Sequence, residues 1–332
     1  MIEHHALALG WTLIHVGWEA TLAGAAVLLA DALLRGPQLR SVVRFLALGA
    51  LALGAAITCG LEETRTLDIT LLPPERYLQP GLATHIADLV RASAPLAARV
   101  DATRVLEVLD ALWLIGVAAL VVRAIGGWRA LQRLANESTP HRALAADGAP
   151  VRVHPSAAGP LAFGVVRPVV ILPASALRTL TDDELGAILA HEAAHVRRAD
   201  AGWNLVQTVF ESLLFFHPVV RWLGRGIREL RELSCDDAVV ANGCGRVQYA
   251  TALLRLEERR GSDARLALAW NGHQPSLTFR RIARVLGEPP RERYGRRIGT
   301  VALTLVLTTA FVAALYLHAF EAALALTPVR PG

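Results

Sequence analysis

Lysine is absent from this chain of 332 residues: all 34 basic side chains are arginine. Cysteine is scarce as well. Cys59, Cys235 and Cys244 are the three present, and no two form a CxxC pair, so a disulfide framework is not expected and a reducing compartment suits Cys235 and Cys244. Charge is thin, at 19% of residues against 53% hydrophobic, and the mean hydropathy is +0.39. That balance departs from soluble globular proteins and puts a membrane protein first. A net charge of +5 suits the cytoplasmic flanks of membrane helices. Direct nucleic-acid binding is not expected, because no basic run is interleaved with aromatic residues.

Four stretches have the roughly 20 apolar residues that a bilayer crossing needs: 6–34, 42–61, 105–122 and 298–318. The amino end carries no Arg or Lys before a long apolar run and no small-residue cleavage site, so it is not expected to be a removable signal. The loop "RGPQLRSVVR" contains Arg35, Arg40 and Arg44, whereas 62–104 holds six acids against five arginines. Arg123, Arg129, Arg133, Arg296 and Arg297 flank the region after the third stretch. By the positive-inside rule the amino terminus and the 62–104 loop face outward. The expected organisation is a membrane domain over 1–124, a cytoplasmic domain over 125–297, and a fourth span with a short outer tail over 298–332. A fifth apolar stretch, "WNLVQTVFESLLFFHPVVRWL", includes Glu211 and His217 and is expected to be an amphipathic or membrane-grazing helix.

The inner domain opens with "VRVHP" and "GVVRPVVILP", β-branched runs punctuated by Gly and Pro that predict two strands. Thr181, with Glu184 three residues on, is a capping box that predicts a helix start. That helix carries "HEAAHVRRAD" at 191–200. His191 and His195, at i and i+4, share a face and can meet one metal ion. Glu192 is placed to take a proton from a water on that ion. Candidates for a third ligand are Glu211, His217, Glu229, Glu232, Asp236 and Asp237. Glu232 and Asp236 again share a helix face, so Glu232 could bind the metal while Asp236 accepts the N–H of a ligand imidazole. His15 and Glu19 form an ionisable i, i+4 pair within the first span.

"GPLAFGVVRPVVILP", "LTDDELGAILAHEAAHVRRADAGWNLVQ", "FFHPVVRWL", "RELRELSCDD" and "YATALLRLE", in that order, resemble the membrane metallopeptidases typified by the beta-lactam and methicillin-resistance sensor-transducers, the antirepressor peptidases. "LGWTLIHVGWEATL" and "RRIARVLGE" extend the likeness over most of the chain. The resemblance implies a mainly α membrane protein of four transmembrane helices in a bacterial-type cytoplasmic membrane, with an α+β gluzincin-like zinc domain inserted between helices three and four. It implies one zinc ion on His191, His195 and Glu232, with Glu192 as the catalytic glutamate. Asp200 and Asp236 are the expected partners of the ligand imidazoles. His217 is either an oxyanion donor or a core histidine, and Cys235 is expected to be packing.

The strand Val169, Val170, Ile171 and Leu172 is expected to offer a sheet edge to an extended substrate. The implied substrate is a cytoplasmic protein, a transcriptional repressor among the candidates. The alternative is a non-proteolytic membrane regulator that keeps the zinc domain as a binding module. The best-known members of the family carry an outer sensor domain after the fourth span. No SxxK follows that span here, so a signal is expected to enter through 62–104, through the spans, or from a separate sensor protein.

Overall fold

The computed structural model describes residues 2–34, 36–71, 102–259 and 277–288. The chain is mostly helical. Three helices, α1 (Ile2–Leu33), α2 (Pro37–Leu71) and α3 (Ala102–Glu137), contain segments long and apolar enough to cross a membrane: Leu9–Leu33, Pro37–Leu61 and Arg104–Glu137. The expected fourth span at 298–318 and most of the 62–104 loop lie outside the described residues. The expected domain boundary at 124/125 falls inside α3, which runs on to Glu137. The apolar run stops near Arg123 but good helix formers continue. The last turn closes where the Ser138 hydroxyl donates to the Leu134 carbonyl at 2.6 Å.

Four strands follow, β1 (Thr139–Ala146), β2 (Ala149–His154), β3 (Leu161–Phe163) and β4 (Val169–Pro173), in the order β1-β2-β4-β3. Two had been expected. β1, "TPHRALAA", has almost no β-branched residues and is held by its antiparallel register with β2. Asp147 and Gly148 between them have φ of 53° and 79°, the backbone of a two-residue type I′ hairpin, for which Asp-Gly is a favoured pair. β4 pairs with β2 in parallel and with β3 antiparallel. It is therefore interior, and the expectation that Val169 to Leu172 form an edge is wrong: Val170 and Ile171 have strand partners on both sides, Val169 on the β3 side and Leu172 on the β2 side. The outer strand beside β4 is β3.

Six helices complete the described chain: α4 (Ala174–Thr179), α5 (Asp182–Arg197), α6 (Asp200–Leu213), α7 (Pro218–Ala241), α8 (Arg246–Arg259) and α9 (Leu277–Val285). α5 begins as predicted, with Glu184 N–H donating to the Thr181 hydroxyl and Thr181 N–H to the Glu184 carboxylate. One core lies between the sheet, α5 and α8, with Val151, Val170, Leu172, Ile188 and Tyr249 at its centre. A second joins α1 and α2 to the amino half of α7 through Val16, Ala20, Leu48, Val219 and Leu223.

The fifth apolar stretch is a helix, a turn and the start of another helix, in place of the expected single helix. His217 N-caps α7, its Nδ1 accepting from Val219 N–H at 3.2 Å, and Pro218 stands at the first helical position, where its missing N–H costs no helix bond. In α1, His15 accepts from the Trp18 indole, and Glu19 is reached by Thr58 of α2.

Candidate metal centre

Helix periodicity puts His191 and His195 on one face of α5, and α7 crosses that face with Glu232. Nε2 of His191 and Nε2 of His195 lie 3.2 Å apart. The Glu232 carboxylate is 3.5 Å from each, Oε2 toward His191 and Oε1 toward His195. A tetrahedral ion with bonds of about 2.05 Å would separate its ligand atoms by roughly 3.3 Å, so these three edges fit such an ion. The other predicted ligand candidates lie elsewhere. Glu211 accepts from Gln207 and Arg228, Glu229 pairs with Arg280, Asp237 pairs with Arg284, and His217 caps α7.

The outer hydrogen bonds decide which imidazole atoms face the centre. Tyr249 of α8 donates its hydroxyl to Asp236 Oδ1 at 2.6 Å, leaving the phenol oxygen to accept from His191 Nδ1 at 2.8 Å. Asp236 Oδ1 itself lies 3.3 Å from the same nitrogen. His195 Nδ1–H donates to Asp200 Oδ2 at 2.8 Å. With both Nδ1 atoms protonated, two Nε2 lone pairs point at one another beside a carboxylate. That arrangement is repulsive unless positive charge sits between them. Asp200 reaches His195 because Ala199 takes a left-handed conformation, φ 52°, which turns the chain sharply from α5 into α6.

Electrostatics point the same way. A proton can supply that positive charge: burial works against the His191 imidazolium, yet the hydrogen bonds it donates to Asp236 and Glu232 outweigh burial and push its pKa up to about 9. Burial likewise opposes ionisation of Glu232, but the His191 hydrogen bond and the Arg281 charge hold its carboxyl down at about 2. Asp236 is held well below the usual carboxylate range in the same manner. Glu192 moves the other way. It is buried, nothing among the described residues hydrogen-bonds its carboxylate, and burial raises its pKa against the pull of His191 and His195. A carboxylate left free in a buried, charged site is suited to exchanging protons.

Tyr249 and Arg281 are the two residues for which the sequence offered no role. Arg281 of α9 clamps Asp236 with Nε at 2.9 Å and Nη2 at 2.8 Å. The same guanidinium reaches Glu232 at 2.9 Å and His191 Nε2 at 3.2 Å. Both lie in segments quoted above for their family likeness, but the tyrosine sits among apolar residues and the arginine in an Arg-Arg pair, neither of which signals a site. His195, Asp200 and Cys235 also cluster. In that group His195 Nδ1–H donates to Asp200 Oδ2, the Cys235 thiol lies 3.8 Å from the same oxygen, and burial followed by the Asp200 charge raises the thiol's pKa.

A family model described as BlaR1 peptidase M56 matches residues 41–285, well over half of the chain. The regulatory protein BlaR1 of Bacillus licheniformis is 35% identical over 81 residues, which are 24% of this chain and 13% of that protein. The methicillin resistance mecR1 protein of Staphylococcus aureus is 28% identical over 98 residues, 29% of this chain and 17% of that protein. The aligned part thus spans less than a fifth of either relative. With its ordered motifs and the extent of that match, the chain belongs to the BlaR1-type M56 peptidase family.

Proposed function

We propose that this chain is an integral-membrane zinc endopeptidase that cleaves a cytoplasmic protein during signal transduction, with a repressor as the leading substrate class. In this reading a fourth span follows the gluzincin-like domain, and that domain faces the cytoplasm. The observation that carries the proposal is the triangle of His191, His195 and Glu232 with an unbonded Glu192 beside it. A structural zinc site fills its fourth position and needs no base.

Bound to these three donors, zinc would polarise a peptide carbonyl and acidify a water. The protein supplies the rest. Tyr249 and Asp236 fix the His191 ring, Asp200 fixes the His195 ring, and Arg281 anchors Asp236 and Glu232 together. Glu192 takes the proton of the attacking water on a carboxylate oxygen and returns it to the leaving amine. The names of the relatives, a regulatory protein and a resistance protein, support a role in signalling.

The test uses the purified chain in detergent, with metal content and cleavage of whole-proteome peptides as readouts. About one zinc per chain is expected, with cleavage that a chelator abolishes and added zinc restores. Zinc without cleavage, even with partner proteins supplied, would favour the non-proteolytic regulator. No bound metal at all would sink the ligand assignment.

The Asp200 hydrogen bond makes its own prediction. Asp200→Asn should weaken metal affinity by about 10–100-fold in a competition with a chromophoric chelator, because the amide can offer His195 Nδ1–H only a neutral acceptor. Unaltered affinity would mean that Asp200 serves the α5–α6 turn alone.

A further inference from the structure

The turn between α6 and α7 lies among the centres of the three apolar helices. Phe210 approaches Gly49, which is twelve residues from either end of the apolar segment Pro37–Leu61. Trp113, in the middle of the third apolar run, donates its indole N–H to the Leu213 carbonyl at 2.8 Å. Phe215 packs on Gly116 so closely that no side chain fits between them. His217 sits beside Gly17 and Val219 against Gly24, and these glycines straddle the centre of Leu9–Leu33. The two outer ends of the hairpin meet the bundle nearer its edge. Trp203 stacks edge-on against Phe45 at 5.1 Å, and Gly226 abuts Arg44, which with Arg40 pairs to Asp31. Trp203 to Leu213 is ten residues of helix, about 15 Å, or half of a hydrocarbon core of about 30 Å.

The hairpin is also polar on the inside and apolar on the outside. Gln207 donates to Glu211 within α6 and to the Gly224 carbonyl of α7, and Arg228 of α7 donates to Glu211. Two amides of the turn are bonded as well, Leu214 N–H donating to the Phe210 carbonyl and His217 N–H to the Leu214 carbonyl. Trp203, Val206, Val209 and Leu213 face outward, exposed by 52%, 38%, 50% and 37%. Polar groups paired between the two helices, with His217 Nε2 an unbonded exception at the tip, and apolar groups outside suit a lipid environment. Leu46, Leu53 and Ile57 of α2 and Leu112 and Ile115 of α3 are exposed in the same way, so the apolar stripe continues that of the bundle.

We propose that α6 and the amino half of α7 form a re-entrant hairpin inserted from the cytoplasmic side to the bilayer midplane, with the outer face of α6 in contact with lipid acyl chains. The exposed arginines of α7 agree with this depth. Arg225 and Arg228 flank Gly226, at the level of the Asp31 ion pairs, where lipid headgroups lie. Arg221 is one turn deeper and long enough to reach that level. Along α7, Glu232 is fifteen residues beyond His217, about 22 Å. On the proposed function, the metal centre then stands at headgroup level, and the bond to be cut must come to the membrane surface.

Spin labels on the full chain in lipid nanodiscs test the insertion. They are placed singly at Val206, Val209 and Leu213 by cysteine substitution, with Cys59 and Cys244 changed to serine and the buried Cys235 left in place. A label at Leu53 stands for a lipid-facing span and one at Val247, 71% exposed, for water. Expected are frequent collisions with oxygen and few with a nickel chelate at all three sites. Depth should increase from Val206 to Leu213 by roughly 10 Å. Equal shallow depth would mean a helix lying along the surface, and Val247-like nickel collisions would mean a hydrated face. Low collision rates with both reagents and an immobile spectrum would show another segment or a second copy covering α6. Each of those three results overturns the proposal. Unlabelled circular dichroism melts identify a misfolded variant, and the depth gradient is then read from the remaining two sites.

Discussion

Glu192→Gln is expected to keep about one zinc per chain and to cut at least ~10²-fold more slowly than the parent, since a positioned general base contributes about 10²–10⁴-fold. The substitution preserves volume and touches no hydrogen bond, because no described residue bonds the Glu192 carboxylate. His191 and His195 keep their partners Tyr249, Asp236 and Asp200, so the donor triangle stays assembled. The amide can neither take the proton of an attacking water nor deliver one to the leaving amine. Its neutral charge also relieves the desolvation that raises the Glu192 pKa, so the folded chain should be no less stable. Metal analysis with single-turnover cleavage separates the two effects. Equal cleavage by parent and variant would assign the base elsewhere, and loss of zinc would mean that Glu192 serves the metal in place of the substrate.

The parts of the site that were legible from sequence are local ones. The Thr181–Glu184 capping box and the i, i+4 histidines depend on residues within one or two helical turns, and α5 forms as those rules require. Sharing a helix face suggests Glu232 for the metal and Asp236 for an imidazole N–H, yet spacing alone cannot separate that pair from a solvated charged face. The crossing of α7 over α5 does, setting Glu232 toward both Nε2 atoms and Asp236 toward Nδ1 and Tyr249. Tyr249 and Arg281 stand 58 and 90 residues from His191, and no local rule reaches so far.

The misplaced edge strand has a similar cause. Val169 to Leu172 is β-branched and apolar, which marks a strand but says nothing of what pairs beside it. The three residues of β3 that cover it are too few to carry an alternating pattern. Two short pairs carry local signals of their own. Asp147-Gly148 marks the β1–β2 turn, and His217-Pro218 marks a helix start within what had looked like a single apolar stretch.

Loss of Glu232 tests the whole assembly. Glu232→Ala should lower zinc affinity by more than the 10–100-fold typical of losing an outer hydrogen bond, because it removes one of three donors and the only anionic one. Misfolding is not expected to produce that loss. α9 stays docked to α7 through Arg280 with Glu229 and Arg284 with Asp237, and Arg281 keeps both bonds to Asp236. The metal-free variant should melt below the metal-free parent, because the His191 and Arg281 contacts that hold the Glu232 pKa down stabilise the folded chain and are lost. The difference in metal binding appears on adding zinc, since a ligand that binds only the folded state stabilises it by RT ln(1 + [L]/Kd). The parent's Tm should climb with zinc concentration while the variant's stays nearly flat. Cys235→Ala gives the contrast. Cys235 belongs to the His195–Asp200 cluster and not to the triangle, so that variant should show the parent's zinc-dependent rise. A flat response in Cys235→Ala together with a full response in Glu232→Ala would move the metal to the other side of His195 and remove the basis for catalysis by Glu192.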